Sequence, residues 1–243
     1  MITLNEDGFE RGFYRFSGIS ELECPNGWAP DWKRATDEDR DGINVRPEIK
    51  PKYQTPEVRP GTGKWSVSIH TREATHQAVL LKQFSAEPGK YHTASVWSMG
   101  VTGLKGDCGH GMRIGIDPTG KVNAWGESVL WSDWYSQYMK DDWQDRKWED
   151  LAVTALAQNQ TITVFLWSSN DYPKDAFAHF DDFKLETEGD GGGDGDSQPI
   201  GDLSDVIDRL NTIIVMHQET QLQVNILREG LNTIPKRGDT ITL

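Results

Sequence analysis

Flat aromatic rings and carboxylates dominate the chemistry open to this sequence. Trp125, Trp131, Trp134, Tyr135, Tyr138, Trp143 and Trp148 crowd one stretch, with Trp97, Trp167 and Tyr172 further along the chain. Indole and phenol faces stack on the apolar faces of sugar rings, while nearby amides and carboxylates satisfy the hydroxyls. The candidate ligand-binding residues are therefore Trp97, Trp125, Trp131, Trp134, Tyr135 and Trp167. The same rings would also serve to pack residues 121–147, a long loop or short helix, onto the body of the protein. Residue type alone leaves both uses open. Ten tryptophans in 243 residues exceed what a core of this size ordinarily needs, so some ring surface is expected to be exposed.

Carboxylates raise the question of metal. Asp37, Asp39, Asp41, Gly42 and Glu48 match the calcium-loop pattern D-x-D-x-D-G-x5-E. Pro47 directly precedes the last of them and no amphipathic helices flank the segment, so a solvated acidic loop is the preferred reading over a second calcium site. Catalysis finds little support. His70, His76, His92, His110, His179 and His217 show no nucleophile partner, and neither G-x-S-x-G nor H-E-x-x-H occurs. No catalytic residue is assigned, and a non-enzymatic protein is expected. Cys24 and Cys108 form no zinc pattern; they are free thiols or a single bridge.

The net charge of −13 and pI near 4.9 repel phosphate backbones and anionic lipid, so neither nucleic acid nor membrane is an expected partner. The same charge suits hard cations such as calcium. The first residues show no basic and apolar leader pattern, and no run approaches the roughly 20 apolar residues of a membrane span. The expectation is a chain made in the cytosol, compatible with release inside a virion.

The elements that must position these groups read as β-strands. Trp65–Thr71 and Tyr91–Met99 alternate apolar and polar residues, as do Met112–Ile116 and Leu151–Ala155. Ala78–Phe84, Ile162–Leu166 and Phe177–Leu185 complete the set, with turns at Pro88-Gly89 and Asp117-Pro118-Thr119-Gly120. Such spacing predicts an antiparallel sandwich over 1–187, with 31–63 as a long charged loop. Residues 188–200 are Gly- and Asp-rich and read as a flexible linker. Residues 201–235 carry a heptad seam: Leu203, Leu210, His217, Val224 and Leu231 at one position, Val206, Ile213, Thr220, Leu227 and Ile234 at the other. That pattern predicts a helix of ~48 Å that associates with copies of itself as a trimer or tetramer. Residues 236–243 are a tail.

An ordered series of short motifs resembles bacterial jelly-roll modules related to carbohydrate-binding modules, within the wider galactose-binding-like superfamily. It runs through Gly8-Phe9-Glu10, Pro25-Asn26-Gly27-Trp28, Arg46-Pro47-Glu48, Gln83-Phe84 and Arg113 to Gly120. Val129-Leu130-Trp131-Ser132, Thr161–Leu166 and Phe180–Leu185 continue it. The C-terminal helix lies outside it. The resemblance implies a jelly-roll β-sandwich with a structural Ca2+ at Glu10 and Asp181, with Asp182 beside them. Alternation along the last strand independently places Asp181 in phase with Phe183 and Leu185, facing inward, where a carboxylate is costly unless paired or bound to metal. A bulge that turns Asp181 outward, or a basic side chain that pairs with it, is the competing arrangement. The expected function is a glycan-binding, adhesion-type module displayed multivalently by its helix. The alternative is a structural or decoration protein of a phage particle, with virion proteins as partners.

Overall fold

The computed structural model describes residues 2–33, 45–102, 110–135, 147–171, 173 and 175–188. Several expectations lie outside this set. They are the acidic loop Asp37–Gly42, Cys108, Tyr138, Trp143, Tyr172, most of the linker, the 236–243 tail, and the helical seam from Leu203 through Val206, Leu210, Ile213, His217, Thr220, Val224 and Leu227 to Leu231 and Ile234.

The described residues form an antiparallel β-sandwich of jelly-roll type. The first strands are β1 (Ile2–Asp7), β2 (Phe13–Arg15), β3 (Glu23–Pro25), β4 (Ala29–Trp32) and β5 (Glu48–Lys52). They are followed by β6 (Ser66–Thr71), β7 (His76–Ser85), β8 (Tyr91–Thr102) and β9 (His110–Asp117). The last are β10 (Leu130–Trp131), β11 (Glu149–Leu156), β12 (Thr161–Asn170) and β13 (Ala176–Thr187). One sheet runs β11-β8-β13-β6-β5, with β1 adding to β13 beyond the end of β6; the other runs β10-β9-β12-β7-β4. A small ribbon pairs β2 with β3. Among the described residues there is no α-helix.

Alternation along the strands builds the core between the sheets. Ala78 and Leu80 of β7, Met112, Ile114 and Ile116 of β9, and Ile162, Val164 and Leu166 of β12 point inward from one sheet. They meet Val67, Ile69, Val96, Phe180, Phe183 and Leu185 from the other. Trp28, fully buried, sets its ring edge-on to Phe183 (5.1 Å between centroids) and to Phe84 (6.3 Å). One end of the interior is polar. His76 hydrogen-bonds Thr71 Oγ1 through Nδ1 (2.9 Å) and Ser168 Oγ through Nε2 (2.8 Å).

Two expectations are corrected. The segment 31–63 is not loop throughout. It begins with the end of β4, and Glu48–Lys52 pair with β6 as an edge strand. The signal was hidden because Pro51 interrupts the alternation; an edge position tolerates proline, whose missing N–H faces away from the ladder. Burial of Ile49 and pairing of Lys50 with Glu23 hold the strand in place. The second correction concerns Asp181. It does not share a face with Phe183 and Leu185, because β13 bulges after it: the β8 register shifts between Asp181 and Lys184, and Asp182 adopts a positive φ of 50°. Directly opposed residues share a face. Asp181 opposes Trp97, so it points to the outer side of the six-stranded sheet. It is nonetheless 0% exposed.

Candidate functional site

The outer face of the five-stranded sheet carries the aromatic cluster. On β9, Gly111, Arg113 and Gly115 share this face, opposite Ser169, Trp167 and Phe165 of β12. The two glycines make the site. A Cβ on Gly115 would come within 2.5 Å of the Trp131 ring, and one on Gly111 within 2.8 Å of the Trp134 ring. Their absence lets both indoles lie against the strand, one on each side of Arg113. The Arg113 guanidinium then sits 4.1 Å from the Trp131 centroid, 4.2 Å from Trp134 and 4.3 Å from Trp167. This is close cation–π geometry with three rings at once.

The segment after β9 delivers the rings. Asp117 pins its start, accepting hydrogen bonds from Thr119 N (2.7 Å), Thr119 Oγ1 (2.6 Å) and Ser128 Oγ (2.7 Å). Ala124 and Val129 bury themselves on Val79, Phe165 and Trp167. Tyr135 and Met112 exchange backbone hydrogen bonds, which closes the segment back onto β9. Trp167 is the hub, edge-on to Trp125 (4.6 Å), Trp131 (4.9 Å) and Trp134 (6.0 Å). Trp125 stays 37% exposed and Trp134 51%.

Four of the six expected ligand residues, Trp125, Trp131, Trp134 and Trp167, thus converge, with Trp125 and Trp134 presenting ring surface. Tyr135 anchors the segment instead. Its ring packs against the main core and its hydroxyl donates to Lys147 O (3.2 Å). Burial pushes that hydroxyl up to about 12, with Glu149 adding to it. Trp97 lies on the other sheet.

The sequence did not single out Arg113. Its Nε is buried without a hydrogen-bond partner, and no carboxylate pairs with it among the described residues. Burial lowers its pKa from the usual arginine value. The legible signal was Gly111-Met112-Arg113-Ile114-Gly115, a cation between two side-chain-free positions on one strand face, upstream of a tryptophan-rich segment.

The outer face of the six-stranded sheet holds the acidic residues. Arg59 lies 3.8 Å from the Trp97 ring centroid and donates from Nη1 to Asp182 Oδ2 (2.6 Å). Beneath it the Asp181 carboxylate accepts from Arg59 N (3.0 Å) and Asp182 N (2.8 Å). Burial, above all, pushes the Asp181 carboxyl up to about 7. The two backbone donors oppose this, and the neighbouring charges of Asp182 and Glu10 add to it. Glu10 Oε1 accepts from Lys64 N (2.7 Å) and Trp65 N (2.8 Å), and a Cβ on Gly63 would collide with that oxygen. Around Gly8, Asp182 Oδ1, Glu10 Cγ and Thr62 O approach to 3.5, 3.6 and 3.9 Å of where a Cβ would stand. A cleft of ≈ 520 Å3 opens here, lined by Trp97, Asp150, Asp182, Lys184 and Glu186 among others. Its lysine pairs with Glu186 (2.8 Å).

These groups fit a hard cation in donor type: three carboxylates and a carbonyl, with a buried acid whose neighbours are also acidic. No group of three or more His, Cys, Asp or Glu side chains is set in metal-holding geometry among the described residues, and Arg59 occupies one Asp182 oxygen. Of the second acidic motif, Glu48 is described; its carboxylate lies 3.4 Å from His70 Nε2.

No helix among the described residues is long and apolar enough to cross a membrane. Neither a protein-family model nor a curated protein matches the chain. Among solved structures, it is similar to TmCBM61 in complex with β-1,4-galactotriose, at 13% identity and TM-score 0.44, over 67% of this chain and 90% of that one. It is also similar to the CBM22-1 xylan-binding domain of Paenibacillus barcinonensis Xyn10C (14%, 0.42, 76% and 94%). A third match is the enzymatically active domain of bacteriophage CBA120 tailspike protein 4 (10%, 0.43), where 67% of this chain covers only 20% of the other. The first two are carbohydrate-binding modules of β-sandwich fold, and the likeness is one of fold.

Proposed function

We propose that this chain is a non-catalytic glycan-binding module whose sugar-contacting surface is the outer face of the five-stranded sheet. The observation that carries the reading is the pair of exposed indoles, Trp125 and Trp134, each set edge-on against the buried Trp167. A rigid ring costs little entropy to dock against, and stacking a pyranose on it replaces two hydrated apolar surfaces with one contact. The heptad seam of residues 201–235 would array several such faces and raise a weak affinity by avidity. Glycan-array screening of the full chain with calcium present tests this. Binding that Trp134→Ala and Trp125→Ala weaken tenfold or more is expected. A blank array, confirmed by calorimetry with oligosaccharides at millimolar concentration, would sink the reading.

A structural Ca2+ joining Glu10, Asp181 and Asp182 is the accompanying proposal. Asp181 supports it: a fully buried carboxyl beside two other acids has a reason to be there if a cation shares it. The ion would tie the start of the domain to the bulge of β13. Removing it with EDTA should lower Tm by several degrees, and an unchanged Tm would refute the site.

A further inference from the structure

We infer that the ligand of the tryptophan face carries a carboxylate that docks against the Arg113 guanidinium. The inference rests on the glycan-binding reading and narrows it to acidic sugars of the uronic or sialic kind. Three features of Arg113 lead there. First, the chain has 38 acidic and 25 basic residues, so a carboxylate is the ordinary neighbour of an arginine. Arg59 has Asp182 and Arg46 has Glu21. Arg113 has indoles on every side on which the structure places a partner.

Second, the cation is already immobilised. Gly111 and Gly115 let two indoles lie against the strand, and Trp167 closes the third side. The conformational entropy of a long, flexible side chain is lost on folding rather than on binding. Third, rings cannot neutralise the charge. They attract it through their quadrupoles but accept no hydrogen bonds from the fork of N–H donors. Nε is buried without a hydrogen-bond partner among the described residues, while the side chain stays partly exposed. A planar carboxylate is the group a guanidinium fork takes bidentately. A sugar stacked on Trp134, 4.2 Å from whose centroid the guanidinium lies, would bring such a group within reach.

Calorimetry with the full chain in CaCl2 tests this with matched probes. These are oligogalacturonate and sialic-acid oligomers, the same oligomers with carboxylates reduced to alcohols, a neutral galactan, and dextran sulfate. At least one acidic oligomer should bind ten times or more tighter than its reduced form. Arg113→Met should bring the acidic form down to the reduced level and leave the reduced form within threefold of its starting affinity. Arg113→Lys, which keeps the charge but not the fork, should fall between. Equal binding of acidic and reduced forms overturns the inference and leaves the glycan reading intact. So does tighter binding of dextran sulfate than of any carboxylated oligomer, or equal loss of both forms in Arg113→Met, which would make Arg113 mere support for the rings. Binding to none of the probes, neutral galactan included, would count against both readings.

Discussion

Each outer face of the sandwich holds an arginine over tryptophan, and the two differ in what else they touch. Arg59 covers Trp97 at 3.8 Å and spends its charge on Asp182 at 2.6 Å. Arg113 lies among three indoles and meets no carboxylate among the described residues. The contact is the same; the residual charge is not. Where an acid faces the guanidinium, its hydrogen-bonding capacity is used inside the fold and the pair serves as a clamp. Where only rings face it, the fork is held in position with donors still to satisfy. Proximity of arginine and tryptophan therefore says little about function until the third group is known.

The largest expected effect tests the clamp side. Asp181 titrates near 7 in the fold, above its ordinary 3.8. The folded state thus binds the proton more tightly than the unfolded one. The resulting stability is complete below pH 4 and is lost as pH rises through 7, by up to about 4 kcal/mol at 1.4 kcal/mol per unit. The buried histidines run the other way. Burial, above all, pushes His76 down to about 3 and His110 down to about 4, so their contribution is full above pH 6.5 and is lost as pH falls through 4 for His110 and through 3 for His76. Asp181→Asn separates the two. Relative to this variant, wild type in EDTA should lose stability between pH 4 and 8 in urea titrations. Millimolar calcium should restore wild type and leave Asp181→Asn unchanged. A flat difference across that range would remove Asp181 from the account.

Second in size is the effect of filling the space under the rings. Gly115→Val puts methyl groups where Trp131 lies and should cost about 1–3 kcal/mol by overpacking, with a fluorescence change from the displaced indole. Gly111→Ala meets Trp134 instead, which is half-exposed, so the added methyl displaces a ring that has solvent on its far side rather than core residues. Its stability cost should be smaller, and glycan binding should suffer as much as in Gly115→Val. Equal stability losses would mean that Trp134 is as fixed as Trp131.

How much of this was legible beforehand follows from which rules each element obeys. The seven strands read from alternation, short apolar runs and turn spacing, including Ala78–Phe84 and Ile162–Leu166, all form, because a half-buried strand writes its period, and a fully buried one its apolar run, directly into residue type. β5 was missed because proline at an edge breaks the pattern without breaking the strand. Asp181 was placed on the wrong face because one bulged residue reverses every phase beyond it. The aromatic face was half legible. Composition announced that rings would be exposed, but only the fold separates Trp134 from Tyr135, adjacent residues of which one lies outside on Arg113 and the other packs inward. Arg113 itself was hidden because its significance lies in meeting rings and, among the described residues, no carboxylate, and such neighbours come from other parts of the chain.

Third, the two arginines can be exchanged for methionine in turn. Arg59→Met strands Asp182 beside Asp181 and Glu10, so it should cost about 1–3 kcal/mol, the penalty for a partly buried polar group that loses its partner. Arg113→Met removes a cation that pairs with no acid among the described residues and keeps a side chain of similar bulk between the rings. Its cost should stay under about 1 kcal/mol, the scale of exposed cation–π contacts. Denaturation midpoints of the two variants decide the matter; similar losses would erase the distinction between clamp and presented charge.

The smallest stability effect should come from Trp134→Ala. The ring is 51% exposed; its covered part lies on the Gly111 backbone, Arg113 and Trp167, so only part of its apolar surface is uncovered on truncation and ΔΔG should stay within about 1 kcal/mol. Trp131→Ala is the matched control. It empties the space over Gly115 and uncovers Phe165 (6.0 Å) and Trp167 (4.9 Å), for about 3 kcal/mol. If the tryptophan face exists to meet a ligand, the two variants should lose glycan affinity to a similar degree while differing severalfold in stability. A residue that costs the fold little and the ligand much is one whose exposed surface the fold does not need. Should Trp134→Ala instead lower Tm as far as Trp131→Ala does, the ring belongs to the packing of the 121–135 segment, and only Trp125 would remain as a free platform.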